Sequence, residues 1–162
     1  ILRSSGYELS PREYRCELDE YQKEAIAKCL TCVQDTSQTN ILQIFGPSGS
    51  GKTETIVRLL EEIFSENSSS RVLVCAPSNS AVSQIALRAQ NFGSYCQIDD
   101  ASQLVDHFLR FGNSKTMNPY LKSLKPTSEK SYDIAATRES CLILSTLDSC
   151  QPPAFKNKVK DI

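Results

Sequence analysis

Ten residues, GPSGSGKTET from Gly46 to Thr55, restrict what this chain can become more than any others. They fit G-x-x-x-x-G-K-[ST], with Gly46, Gly51, Lys52 and Thr53 at the fixed positions and a further glycine at Gly49. Closely spaced glycines let a backbone curl until its N–H groups converge on an anion. In such a cradle Lys52 reaches the terminal phosphates of a nucleoside triphosphate, and the Thr53 hydroxyl meets a magnesium ion. A helix that begins there adds the positive end of its dipole. The flanks agree. Ile41-Leu42-Gln43-Ile44-Phe45 is a short, mostly apolar run suited to a buried parallel strand. Ile56, Leu59, Leu60 and Ile63 follow at the spacing of one helix face. The residue types are common enough that the spelling alone would carry far less than this order of strand, loop and helix.

The rest of the chain alternates strand and helix. Asp19 caps an expected helix through about Val33, with Ile26, Cys29, Leu30 and Val33 as its apolar stripe. Val72-Leu73-Val74-Cys75 reads as a strand. It is followed from Asn79 by a helix with Val82, Ile85, Ala86 and Ala89 on one face. Leu104, Val105, Phe108 and Leu109 suit a short helix, Gly112–Glu139 a long polar loop or insertion, and Cys141–Thr146 a third strand. This is an α/β pattern: a P-loop parallel sheet with flanking helices. The expected divisions are an irregular lead-in over 1–17, a domain over 18–150 with the insertion near 112–140, and an exposed tail over 151–162. Ligands in such sheets gather at the strand C-termini, where the glycine loop and the turn after Cys75 both fall.

Composition excludes more than it selects. A chain of 162 residues with 23% charged residues and a net charge of −1 has neither a basic footprint nor an acidic tail. No apolar run approaches the roughly 20 residues of a membrane span, so no membrane partner is expected. The first residue is Ile rather than Met, as in a piece of a longer protein. Seven cysteines would suggest a disulfide framework in a small secreted chain. Here the glycine loop points instead to a reducing, ATP-containing compartment, and the cytoplasm is the expected setting. Cys29 and Cys32 form a CxxC, but no second pair completes a zinc set and His107 is the only histidine. Cys29 is expected to be a buried, reduced thiol on its helix stripe.

Four stretches, LDEYQ (Leu18–Gln22), GPSGSGKT (Gly46–Thr53), CAPSNSA (Cys75–Ala81) and LILSTLDSC (Leu142–Cys150), occur in that order. Together they resemble the Q motif and motifs I, Ia and Ic of superfamily 1 helicases. The likeness is to RNA helicases of the up-frameshift type, in the branch containing Armitage and the Moloney-leukaemia-virus helicase. It covers about residues 17–150, with nothing recognised over 93–138. The resemblance implies ATP and Mg2+ as cofactors, with nucleotide contacts from Gln22, Gly46, Pro47, Ser48, Gly49, Ser50, Gly51, Lys52, Thr53 and Glu54. Lys52 and Thr53 would be catalytic, and Thr53 would hold the magnesium. Gln22 would read the adenine edge, for which an amide has both donor and acceptor; Asp19 and Gln22 also spell a capping box that needs no ligand. Single-stranded RNA, with DNA as the alternative, would meet Ser78, Asn79 and Ser80 at the start of a helix and Ser145 and Thr146 at the end of a strand. Capping and ordinary turn formation explain those residues equally well. The resemblance also implies that the α/β fold is a P-loop NTPase (RecA-like) parallel sheet with flanking helices, an incomplete first motor domain, with a second RecA-like domain as its partner elsewhere in the full-length chain.

The departures from that pattern matter. Ser48 and Ser50 stand where the family usually has Pro and Thr, and Asp19 stands where it usually has Asn. The acidic motif II, whose Asp-Glu pair holds magnesium and activates water, has two poor candidates. Asp99-Asp100 comes before the motif Ic strand instead of after it, and Asp148 is followed by Ser149 rather than Glu. The chain is therefore expected to stop at Ile162 short of motif II. That keeps open a truncated, inactive nucleotide- or RNA-binding module. A P-loop small-molecule kinase would leave APSNSA unexplained. A GTPase fails because Asn157-Lys158 is not followed by Asp in the required place.

Overall fold

The computed structural model describes residues 18–35, 37–89, 108–111, 125–127 and 141–150. The expectations that rest on residues 1–17, Asp99-Asp100, Leu104-Val105, His107 and the tail lie outside them. The chain divides into two compact units, Ile1–Glu66 and Asn67–Ile162.

The first unit is a helical pair joined by the glycine loop. Helix α1 spans Glu20–Gln34 and opens on a complete capping box. The Asp19 carboxylate accepts from Gln22 N at 2.8 Å, and the Gln22 side chain accepts from Asp19 N at 3.0 Å. Two of the orphan donors at the helix start are thereby satisfied. Helix α2, Lys52–Glu66, packs on α1, with Leu18, Ile26, Leu30, Leu60 and Phe64 buried. Three expectations need correcting here. Val33 is exposed and Cys29 only half-buried, because the last turn of α1 is solvated, with Gln34 reaching across to the exposed Glu66. On α2, Ile56 and Leu59 are half-buried, while burial extends round to Val57, Arg58, Glu61 and Glu62. Finally, Ile41–Phe45 is not a strand. Ile41 is 94% and Phe45 81% exposed, and no described strand pairs with the run. A β-strand needs a neighbouring ladder for its N–H and C=O groups, and apolar sequence alone does not supply one.

The second unit holds a parallel sheet of order β1-β4-β2-β3. Its strands are β1 (Val72–Ala76), β2 (Phe108–Phe111), β3 (Lys125–Thr127) and β4 (Leu142–Thr146). Helix α3, Asn79–Ala89, packs on β1 and β4. Its face of Val82, Ile85, Ala86 and Ala89 is buried as the spacing requires. All five residues of β4 are buried, as befits a central strand of a parallel sheet. A 3-10 turn, Asp148–Cys150, follows it. Phe108-Leu109 lies in strand β2, not in the expected helix, and Phe108 is fully buried. Part of the expected long loop is strand β3, paired to β2 with Pro126 opposite Arg110. Proline survives there because β3 lies at the sheet edge, where a ladder donor can be missing on the open side. No helix of the described residues is long and apolar enough to cross a membrane.

Candidate nucleotide-binding site

The glycine loop curls between the unpaired run 41–45 and the first turn of α2. Gly49 has φ +82° and Gly51 φ +75°, left-handed values that strain any residue with a Cβ. At Gly51 a Cβ would also collide with the Gln22 side-chain nitrogen, so the backbone passes close to α1. Ser50 N donates to Pro47 O at 3.3 Å, and Thr55 N donates to Gly51 O at 2.9 Å as the loop turns into the helix. Lys52 is exposed and folds back over the loop, its Nζ donating to Gly46 O at 2.7 Å and Pro47 O at 2.6 Å. Thr53 and Glu54 are half-buried in the first turn.

Gln22 has two tasks at once. Its Oε1 closes the capping box, while its Nε2 donates to Ser50 O at 3.2 Å and ties α1 to the loop. A primary amide has two donors and two lone pairs, so both ends keep capacity for a ligand. A hollow of about 250 Å³ opens beside this tie, lined in part by Tyr21, Gln22, Ala25, Phe45, Pro47 and Lys52. Sequence reasoning missed Tyr21 and Phe45. Both residues are more than 80% exposed, and each directly precedes a residue that was singled out, Gln22 and Gly46.

The phosphates of a nucleotide fit these residues on the structure's own terms. The loop is shaped by backbone that only glycine adopts without strain, and an exposed ammonium rests on its carbonyls at the start of α2. Among the described residues no cluster of three or more His, Cys, Asp or Glu forms a separate metal site.

The nucleic-acid candidates lie in the other unit. Ser78 is the N-cap of α3, its Oγ accepting from Ala81 N at 3.2 Å and its carbonyl from Val82 N at 3.1 Å. Ser78 and Ser80 are exposed and Asn79 half-buried. At the end of β4 the two hydroxyls are engaged within the chain. Ser145 is fully buried with its hydroxyl donating to Thr146 O, and Thr146 is 8% exposed with its Oγ1 held by Ser149 at 2.9 Å. Both hydroxyls brace the turn after β4. Asp148 is exposed in that turn.

Residues 17–140 match the family model described as AAA domain. The chain belongs to this family. Its P-loop NTPase fold is α/β, of which these residues form a part. This AAA domain is similar to the helicase sen1 of Schizosaccharomyces pombe, 24% identical over 85% of the chain and 9% of the relative. It is similar to the RNA helicase Mov10l1 of Mus musculus, 41% identical over 44% of the chain and 6% of the relative. Senataxin of Mus musculus is 38% identical over 44% of the chain and 3% of the relative. The AAA domain thus spans less than a tenth of these proteins, all of them helicases by name, in line with the resemblance to the up-frameshift type. No solved structure matches it.

Proposed function

We propose that this chain is the ATP-binding part of an ATP-dependent RNA helicase motor. The observation that carries the reading is the glycine loop at the start of α2 with Gln22 tied to it from α1. Residues Gly46 through Glu54 would hold the nucleotide's phosphates, and Gln22 its adenine. Lys52 would move its ammonium from Gly46 O and Pro47 O to the β- and γ-phosphates. Thr53 would hold magnesium, which when bound neutralises charge on the phosphates. Lys52 and Thr53 are the catalytic residues of this proposal.

Single-stranded RNA is the proposed polymer. The exposed cap at Ser78 and Ser80, with Asn79, supplies small polar groups and a helix N-terminus suited to a phosphate. Ser145 and Thr146, at the end of β4, are the second proposed contact with the same strand, and they would have to give up their present hydrogen bonds to Thr146 O and Ser149 to make it. The names of Mov10l1 and the other relatives support a helicase, and a second RecA-like domain would complete the motor. The cytoplasm, reducing and rich in ATP, is the proposed setting.

The decisive test is Lys52→Ala. Losing a charge-assisted contact of about 1.5–3 kcal/mol lowers ATP affinity at least about tenfold, read by calorimetry. Equal affinities for variant and wild type would overturn the nucleotide site.

A further inference from the structure

Two thiols outside the nucleotide site meet across the C-terminal edge of the sheet. Cys75 is the penultimate residue of β1, and Cys150 ends the 3-10 turn that follows β4. The two positions are 75 residues apart in sequence, yet the sulfurs lie 3.2 Å apart. Both thiols are free. The scaffold fixes this approach. Strands β1 and β4 run side by side with Cys75 opposite Ser145, and Leu147 N donates to Ala76 O at 3.0 Å just before the turn. Thr146 Oγ1, bonded to Ser149, holds the turn itself.

We infer that Cys75 and Cys150 form a reversible disulfide, a modification site that bolts the end of β1 to the turn after β4. Closing the gap to a sulfur–sulfur bond of about 2.0 Å needs a movement on the order of 1 Å, which a three-residue turn absorbs. The oxidant is a low-molecular-weight disulfide. The Cys150 thiolate attacks one of its sulfurs and expels the other as thiolate, leaving a mixed disulfide on Cys150. Cys75 then gives its proton to solvent, attacks the Cys150 sulfur and expels the second small thiol. Two protein thiols lose two electrons and two protons, and one small disulfide becomes two thiols. Before the reaction the Cys75 thiol is pushed up to about 12 by burial, by its hydrogen bond with Cys150 and by that sulfur's charge. Capping Cys150 removes the last two influences, so the first step prepares the second. Cys150 is half-buried and its neighbour Cys75 exposed, so the oxidant reaches the pair from solvent.

This inference rests on neither the nucleotide nor the RNA reading. Its test is to equilibrate the 162-residue chain with glutathione and glutathione disulfide in increasing ratio, block free thiols, digest with trypsin without reduction and identify linked peptides. The expected product joins peptide 72–88 to peptide 139–156 through Cys150; fragmentation distinguishes Cys150 from Cys141, which shares that peptide. Cys75→Ser and Cys150→Ser each abolish the link, and Cys141→Ser keeps it. Oxidised wild type melts about 5–10 °C above its reduced form, as a bridge closing so long a loop implies, while Cys75→Ser shows no redox-dependent shift. Formation of Cys29–Cys32 alone, a link through Cys141, or no link at any ratio would overturn the assignment.

Discussion

Gly49 and Gly51 show how differently two neighbouring glycines can matter. Both are left-handed, but beside Gly49 lies open space, whereas beside Gly51 lies the Gln22 amide. Gly49→Ala therefore costs about 1–2 kcal/mol of backbone strain and little else. Gly51→Ala carries the same strain and also breaks the Gln22–Ser50 tie. We expect it to weaken ATP binding about tenfold beyond Gly49→Ala, by calorimetry on both variants. Similar losses from both would mean that the tie does not shape the site. Gln22 can be dissected likewise. Gln22→Glu keeps the oxygen that accepts from Asp19 N but removes the donor to Ser50 O; Gln22→Ala removes both. The alanine variant leaves Asp19 capping the residue-22 backbone N–H but loses the return bond to Asp19 N, so it should lose about 0.5–1.5 kcal/mol of stability, and the glutamate variant much less. Both should narrow the preference for ATP over GTP if the amide reads adenine. An unaltered preference in both rejects that role.

Helix α2 carries an unusual burden for one element. Arg58 bonds Glu61 through one guanidinium nitrogen and Glu62 through the other at 2.7 Å, and all three side chains are at most 8% exposed. Two carboxylates share one cation away from water, where desolvation rivals attraction. Burial pushes Glu61 above its ordinary value of 4.5 despite the pull of Arg58, and Glu54 and Glu62 add to the rise. Between those two values the folded chain binds more protons than the unfolded one, so stability falls as pH rises through that window. Asp35 works the other way at lower pH. Hydrogen bonds, chiefly from Ser37, hold it below 3.8, so its contribution is lost only as pH falls through that lowered value. Glu61→Gln should remove the decline above 4.5, seen as a flatter urea midpoint against pH. Parallel profiles for wild type and variant would refute the buried-acid account. These charges also explain why α2 was only half legible. Apolar spacing found Leu60 and Ile63 but had no means to anticipate a buried ion triad. Helix α3, whose buried face is mostly small and aliphatic, was legible throughout. Strands β2 and β3 were not, because four and three residues are too few for a period and Pro126 argues against a strand until its edge position is known.

At the scale of the molecule the turn of the glycine loop and the Asp19–Gln22 capping box were readable because each is fixed by local backbone chemistry, whereas the tie from Gln22 to Ser50 spans 28 residues and was not. The fate of Ile41–Phe45 and the burial of Ser145 depend on distant partners, which no window of sequence contains. The same distinction bears on turnover. Among the described residues lining the hollow, Asp19 is the one carboxylate, and its Oδ1 is taken by Gln22 N. Hydrolysis needs a carboxylate to orient water and cations facing the γ-phosphate. We expect the 162-residue chain to hold ATP with little RNA-stimulated turnover. Adding the proposed second RecA-like domain should raise it by about 10³ or more, measured as phosphate release with and without single-stranded RNA. Robust RNA-stimulated turnover by the chain alone would make Asp99 and Asp100 the first suspects. The strand order has a consequence in time as well. Val72 pairs with Leu142, so about seventy residues must be synthesised after β1 begins before its neighbour exists. Helices α1 and α2, built from contacts within the first 66 residues, face no such wait. On a ribosome the nucleotide loop would therefore be shaped well before the sheet closes. The nascent chain would carry β1 with an open edge until β4 emerges to fill it.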